Sequence, residues 1–234
     1  MDRAEFDKFA QEYKSLHGEN IAASGENPEY FAEYKMKDLK RIVETARDVE
    51  IDGAFLDFGA GVGTSVPFFR KYFPSAHLTC LDVSEASLEI AAANFGSMAE
   101  YIAFDGKALP FEDNSFDAAY ACCVFHHISP EEHVYLLREL RRVLKRNGVV
   151  MIYEHNPLNP LTVRAVNSCP FDENAVLIKA GTMCRNFRSA GFSSASVSYR
   201  VFFPRLLSFI RSIEASLQWL PLGAQYYVTA AKGD

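Results

Sequence analysis

Residues 55–65 read FLDFGAGVGTS. An apolar run, an aspartate and three glycines at alternate positions describe a buried strand that breaks into a glycine-rich turn ahead of a helix. Such a turn lets the backbone approach a ligand, and the helix N-terminus beyond it offers positive potential and N–H groups. Phosphate suits that field. Asp57 at the mouth repels pyrophosphate, however, so the ligand expected here carries a cation close to this carboxylate.

Outward from that turn, strand-like and helix-like runs alternate from about residue 53 to 192, the pattern of a parallel α/β sheet. The strand candidates are AFLDFG (54–59), HLTCLDV (77–83), AEYIAF (99–104), FDAAYACC (116–123) and VVMIYEH (149–155). All but the third are short and apolar, as buried parallel strands are. Between the last two, SPEEHVYLLRELRRVLKRNG (129–148) reads as one helix, with Ser129 and Glu132 as a capping box and Leu137, Leu140 and Leu144 on one face. Its Arg138, Arg141 and Arg142 read as a solvated face rather than an anion patch. Beyond Gly191, ASVSYRVFF, a helical PRLLSFIRSIEASLQWLP and AQYYVTAAK fit an antiparallel finish to the sheet.

Composition narrows the function. At 234 residues with 49% hydrophobic and 23% charged side chains, the chain can bury one sizeable core. A net charge of −6 argues against a nucleic-acid partner. The five cysteines include the adjacent pair Cys122 and Cys123 and lack both zinc-type spacing and a secreted disulfide pattern, which fits a reducing cytoplasm. No apolar run reaches membrane-span length. Metal-ligand motifs such as H-x-x-x-H are also missing, so no metal is expected.

Three acids follow strands whose carboxyl ends should meet at one ligand site. Asp57 precedes Gly59-Ala60-Gly61-Val62-Gly63, which departs from the dinucleotide pattern G-x-G-x-x-G because Thr64 stands where the last glycine belongs. Asp82, followed by Val83, comes 25 residues later and can accept hydrogen bonds from both hydroxyls of a ribose. Asp105, next to Gly106, can take the exocyclic amine of adenine. Together they describe an adenosyl amino acid.

The stretches D-x-G-x-G-x-G at 57–63, LDVS at 81–84 and FDGKALPFEDNSFD at 104–117 resemble class I S-adenosylmethionine-dependent methyltransferases, and LPFEDNSFD followed by FHHIS resembles their small-molecule, type 11 or type 12, branch. The resemblance covers about residues 51–155. It implies a Rossmann-like, doubly wound α/β fold with a mostly parallel seven-stranded sheet, an antiparallel last strand and a helical N-terminal cap over residues 1–50. Within the core at 51–234 it leaves a candidate lid at 156–175 and a helical insertion at 204–221.

It further implies S-adenosylmethionine as cofactor, held by Asp57, Gly59, Ala60, Gly61, Gly63, Asp82, Val83, Asp105, Gly106, Cys122 and His127. FDKFAQEY (6–13) is similar to the segment by which relatives fold a helix over the cofactor, bringing Tyr13 toward its carboxylate. The expected reaction is metal-independent O- or N-methylation of a small or medium-sized acceptor, with His126 or His155 as general base or orienting group. Two alternatives remain: a catalytically silent cofactor-binding scaffold, and a methyltransferase for a protein or lipid-linked acceptor. Membrane contact and a homo-oligomer stay open.

Overall fold

The computed structural model describes residues 24–46 and 49–233. The expectations for Phe6–Tyr13, Tyr13 included, lie outside these residues. The chain opens with α1 (Pro28–Thr45), which starts where its sequence says it should: the Asn27 side chain accepts from Tyr30 N at 2.8 Å, and Pro28 occupies the first turn. One face of α1 buries Phe31, Met36, Leu39 and Val43. The same face carries Asp38, whose carboxylate receives Arg200 Nε at 2.8 Å, Arg200 Nη2 at 2.7 Å and the Tyr153 hydroxyl at 3.2 Å. A buried acid left alone would be costly, so this pairing fixes the helix across the sheet.

The core follows as β1 (Ala54–Phe58), α2 (Val66–Tyr72), β2 (His77–Asp82), α3 (Glu85–Phe95), β3 (Glu100–Ala103), β4 (Phe116–Cys122), α4 (His133–Val143), β5 (Leu144–His155), α5 (Pro160–Asn167), α6 (Ala180–Ser189), β6 (Ser196–Arg200) and β7 (Gln225–Ala231). The seven strands lie in the order β3-β2-β1-β4-β5-β7-β6. β7 runs antiparallel to both neighbours, and the other pairings are parallel. The chain winds from β1 outward through β2 to β3, then crosses to β4 and β5 on the other side. The carboxyl ends of β1 and β4 therefore bound the crevice where such sheets bind ligands. Along β1, alternate residues enter opposite layers: Phe55 belongs to the core layer that holds Leu39, Phe69 and Tyr120, whereas Leu56 and Phe58 belong to the one that holds Leu137, Ile152 and Phe187.

Two sequence readings change. The helix expected over 129–148 spans only His133–Val143; Ser129–Glu132 form a turn closed by Glu132 N on the Ser129 carbonyl at 2.9 Å, ahead of the helix rather than in its first turn, and residues from Leu144 enter β5. Arg142 is tied to Glu139, to Asp113 and to the carbonyls of Leu109 and Phe111, which anchors the β3–β4 loop. The insertion expected as a helix at 204–221 is a 3-10 segment, Arg205–Ser216, broken at Leu207. Three residues per turn bring side chains at i and i+3 into line, and the row Leu206, Phe209 faces solvent. The segment 156–175, expected as a candidate lid, contains α5 and a 3-10 turn at Pro170–Asp172, and Asn156 Nδ2 holds it to the carbonyls of Pro221 and Gly223.

Candidate active site

At the carboxyl end of β1 the backbone turns through Gly59 and Gly61 with φ of 77° and 52°. Gly59 N and Ala60 N donate to Leu81 O at 2.8 and 3.1 Å, stitching the turn to β2. A side chain at Gly59 would collide with Val124, whose methyls lie 2.5 and 2.6 Å from an added Cβ. At Gly61 an added Cβ meets nothing within 4 Å, because this residue faces the cleft. Gly63 packs against Ala91 and Phe95 of α3 instead. The glycines thus divide the work between close approach to the protein and close approach to a ligand.

Asp57 and Asp82 stand on either side of this turn. Ser65 Oγ donates to Asp57 Oδ2 at 2.5 Å. Burial raises the Asp57 carboxyl, partly offset by the Ser65 hydrogen bond, and leaves it at about 7. Asp82 accepts from Gly61 N at 2.7 Å and from Ser84 N at 2.9 Å, so its carboxylate shapes the glycine turn as well as facing the cleft. The cleft itself is walled by Gly59, Ala60, Gly61, Val62, Asp82 and Val83 on the β1–β2 side, by Cys122, Cys123 and His127 after β4, and by Phe31, Lys35 and Met36 of α1. Of the residues expected to hold a cofactor, Gly63, Asp105 and Gly106 do not line it. Asp105 is exposed and its Oδ1 accepts from Lys107 N at 2.9 Å, an Asx turn at the end of β3.

Opposite the glycine turn, the segment after β4 is folded by its own set of contacts. Cys123 takes a φ of 61° and donates its N–H to Tyr153 O at 2.7 Å, which forces the chain out of the sheet. Residues Phe125–His127 then make a 3-10 turn whose carbonyls at Phe125 and, just beyond it, Ile128 both accept from His133 Nε2 at 3.0 Å. Glu154, fully buried, accepts from Val124 N and Phe125 N through Oε1 and from His126 Nδ1 at 2.6 Å through Oε2. Asp172 Oδ1 lies 3.6 Å from His126 Nε2 and 3.3 Å from His127 Nε2. Burial disfavours the charged His126 ring, but Glu154 and Asp172 overcome it and push its pKa to about 10. His126 is therefore a buried link between two carboxylates, away from the cleft wall. His155 is half-buried, its ring 5.2 Å from that of His126, and does not line the cleft.

The sequence alone did not point to Lys35 as the partner of Cys123. Lys35 Nζ donates to Cys123 Sγ at 3.2 Å and lies 5.5 Å from the Tyr153 ring centroid. Burial raises the Cys123 thiol, yet Lys35 and the neighbouring His155 outweigh it and bring the group down to about 6. Cys122, without that contact, is pushed up by burial. Asp172 was equally hidden, because only the path of α5 and the following turn brings residue 172 back to residue 126.

Residues 56–152 match the family model described as a methyltransferase domain, of type 11. A demethylmenaquinone methyltransferase of Thermotoga maritima is 34% identical over 154 residues, which cover 66% of this chain and 61% of that protein. A ubiquinone/menaquinone biosynthesis C-methyltransferase of Hahella chejuensis is 27% identical over 139 residues, covering 56% of this chain and 55% of the relative. The chain thus spans between half and two thirds of these two proteins. Among solved structures, a methyltransferase of Thermotoga maritima described as a possible histamine N-methyltransferase superposes with a TM-score of 0.67 at 20% identity, over 98% of this chain and 99% of that one. Strand order, glycine turn, paired acids and domain match agree: residues 56–152 carry a methyltransferase domain of the S-adenosylmethionine-dependent kind.

Proposed function

We propose that this chain transfers the methyl group of S-adenosylmethionine to a small or medium-sized acceptor that enters between α1 and the turn after β4. The observation that carries this reading is the convergence of Asp57, Asp82 and the open face of Gly61 on one cleft closed from the other side by Lys35, Cys123 and His127. The residues suit the cofactor. Asp57 answers its cationic end, Asp82 its ribose, Gly59–Gly63 the close backbone approach, and Val83 the apolar base. We assign Asp105 and Gly106 to the adenine edge at the rim. When bound, the cofactor supplies a sulfonium-activated methyl group.

The chain's own part is to orient the acceptor, exclude water and hold a proton where one is released. With both ring nitrogens of His126 facing carboxylates, that residue acts as a positioning group for the turn carrying His127. His155 lies off the cleft wall, behind Cys123, which lines it, and next to Gln225, and it remains the candidate to take a proton passed out of the cleft. The acceptor class is guided by the relatives, whose names refer to menaquinone and ubiquinone biosynthesis and, in one case, to C-methylation. An apolar ring acceptor methylated at carbon therefore stands beside the O- or N-methylation expected from sequence. Release of S-adenosylhomocysteine tests both: a panel of short-chain demethylquinones, phenols and amines should contain at least one acceptor that raises release well above background. Tight cofactor binding with no release across the panel would support the silent scaffold instead.

A further inference from the structure

We infer that His126, His127 and Asp172 form a binding site for one divalent first-row cation of the zinc and cobalt type, immediately behind the wall of the cofactor cleft. Nothing in the sequence pattern announces it, since two adjacent histidines and an aspartate 45 residues on make no metal motif. The fold assembles it. Val176 N donates to His126 O at 2.7 Å, so the strand of chain leaving the Pro170–Asp172 turn is bonded directly to the histidine turn. The ligand atoms of the three residues all lie within 4.8 Å of one another.

Two distances fit a shared ion better than direct hydrogen bonds. A charge-assisted N–H to carboxylate hydrogen bond spans roughly 2.7–2.9 Å. Asp172 Oδ1 is farther than that from both rings, at 3.3 and 3.6 Å. Metal–ligand bonds of about 2.0–2.1 Å at tetrahedral angles place neighbouring ligand atoms about 3.3 Å apart, close to the two Asp172 distances. By contrast, His126 Nδ1 meets Glu154 at 2.6 Å, a full hydrogen bond. A carboxylate on one ring nitrogen, with the other nitrogen turned toward a second acid, is how a metal-binding histidine is held in its tautomer. Glu154 is in turn fixed by two backbone N–H groups, so the orientation is rigid. Two imidazoles and one carboxylate match the ligand preferences of zinc and cobalt rather than calcium or magnesium. His127 also lines the cofactor cleft, which sets the ion one side chain from the bound ligand. This inference departs from the metal-free reading of the sequence and does not depend on the identity of the methyl acceptor.

The test uses tag-free full-length protein, stripped with chelator and titrated with cobalt(II) chloride, with no acceptor present. One equivalent of bound cobalt, a visible d–d spectrum of low-symmetry coordination and displacement by zinc(II) are expected. Asp172→Ala and His127→Gln should each weaken cobalt binding at least 100-fold, Glu154→Gln about 10- to 100-fold, and Glu44→Gln on the far surface of α1 not at all. Circular dichroism reports whether each variant folds; should the buried variants unfold, the wild-type titration and spectrum decide alone. Substoichiometric binding without d–d bands, or equal cobalt affinity in folded Asp172→Ala, overturns the site.

Discussion

The two sides of the cleft are built by different means. On the β1–β2 side the shape comes mainly from backbone: Gly59 and Ala60 are bonded to the Leu81 carbonyl, with one side chain, Asp82, holding Gly61 N, all within one strand–turn–helix unit and its neighbour. On the β4–β5 side it comes from side chains supplied by distant segments: Lys35 from α1, Glu154 from β5 and Asp172 from the turn after α5 converge on residues 122–127. Backbone geometry is dictated locally, so the first side tolerates little change at its glycines. The second side stores its precision in buried charge, and should fail when one partner of the network is removed.

The largest effect is expected there. Glu154→Ala strips two backbone N–H groups of their acceptor and leaves the His126 ring facing Asp172 alone in a fully buried position. Removing one partner of a buried charged pair costs about 3–5 kcal/mol. Urea denaturation should show the loss as a shift in midpoint, and a loss under about 1 kcal/mol would mean that the network carries little of the fold.

Next comes the glycine side. Gly59→Ala places a methyl into Val124 at a positive φ, and the two penalties together amount to about 2–4 kcal/mol. Gly61→Ala shares the positive φ but has open space before it, so its cost to folding should be only about 1–2 kcal/mol. Its effect should instead fall on cofactor affinity. Equal losses of thermal stability in the two variants would erase the distinction between the glycine that meets protein and the glycine that meets ligand.

These contrasts also explain what could be read in advance. Asp57, Asp82 and the glycine turn sit in one contiguous pattern, so their convergence follows from local sequence and the parallel strand rule. Asp105 follows the same logic, but the Asx turn with Lys107, after a short edge strand, sets it at the exposed rim rather than on the wall of the cleft. The acid network was unreadable for another reason: Glu154 and Asp172 look like ordinary strand-end and loop acids until three-dimensional contacts bring them to His126. The helix at 129–148 was overextended because its basic C-terminal residues resemble a helix end, whereas Lys145 is drawn into β5 by a 2.7 Å contact with Asp117.

A fourth variant returns to the glycine side. Asp82→Ala should weaken S-adenosylhomocysteine binding by about 2–3 kcal/mol, since a charged acceptor for donors in a desolvated site is lost. Calorimetric titration checks it. Because Asp82 also holds Gly61 N, Asp82→Asn should recover part of the loss, as one amide oxygen can still accept.

The smallest effect is also the one that sets the two sides most directly against each other. Asp57 is raised to about 7 chiefly by burial, so in the free protein it binds a proton more tightly than the unfolded chain does. Between the ordinary carboxylate range and pH 7 the folded state holds more protons, and its stability therefore declines as pH rises across that window. Asp57→Asn, which keeps an acceptor for Ser65, should make the unliganded protein more resistant to heat at pH 8 than the wild type. Cofactor binding has the opposite sign. Only the ionised carboxylate attracts the cationic end of the ligand, and raising the pH from 6 to 8 takes Asp57 from mostly protonated to mostly ionised. S-adenosylhomocysteine affinity, measured by calorimetry at constant ionic strength, should rise up to about tenfold over that range, a change of about 1.4 kcal/mol. In Asp57→Asn the same titration should be flat after correction for the ligand's own amine, and a wild-type slope that survives the substitution would move the pH dependence to the other wall of the cleft.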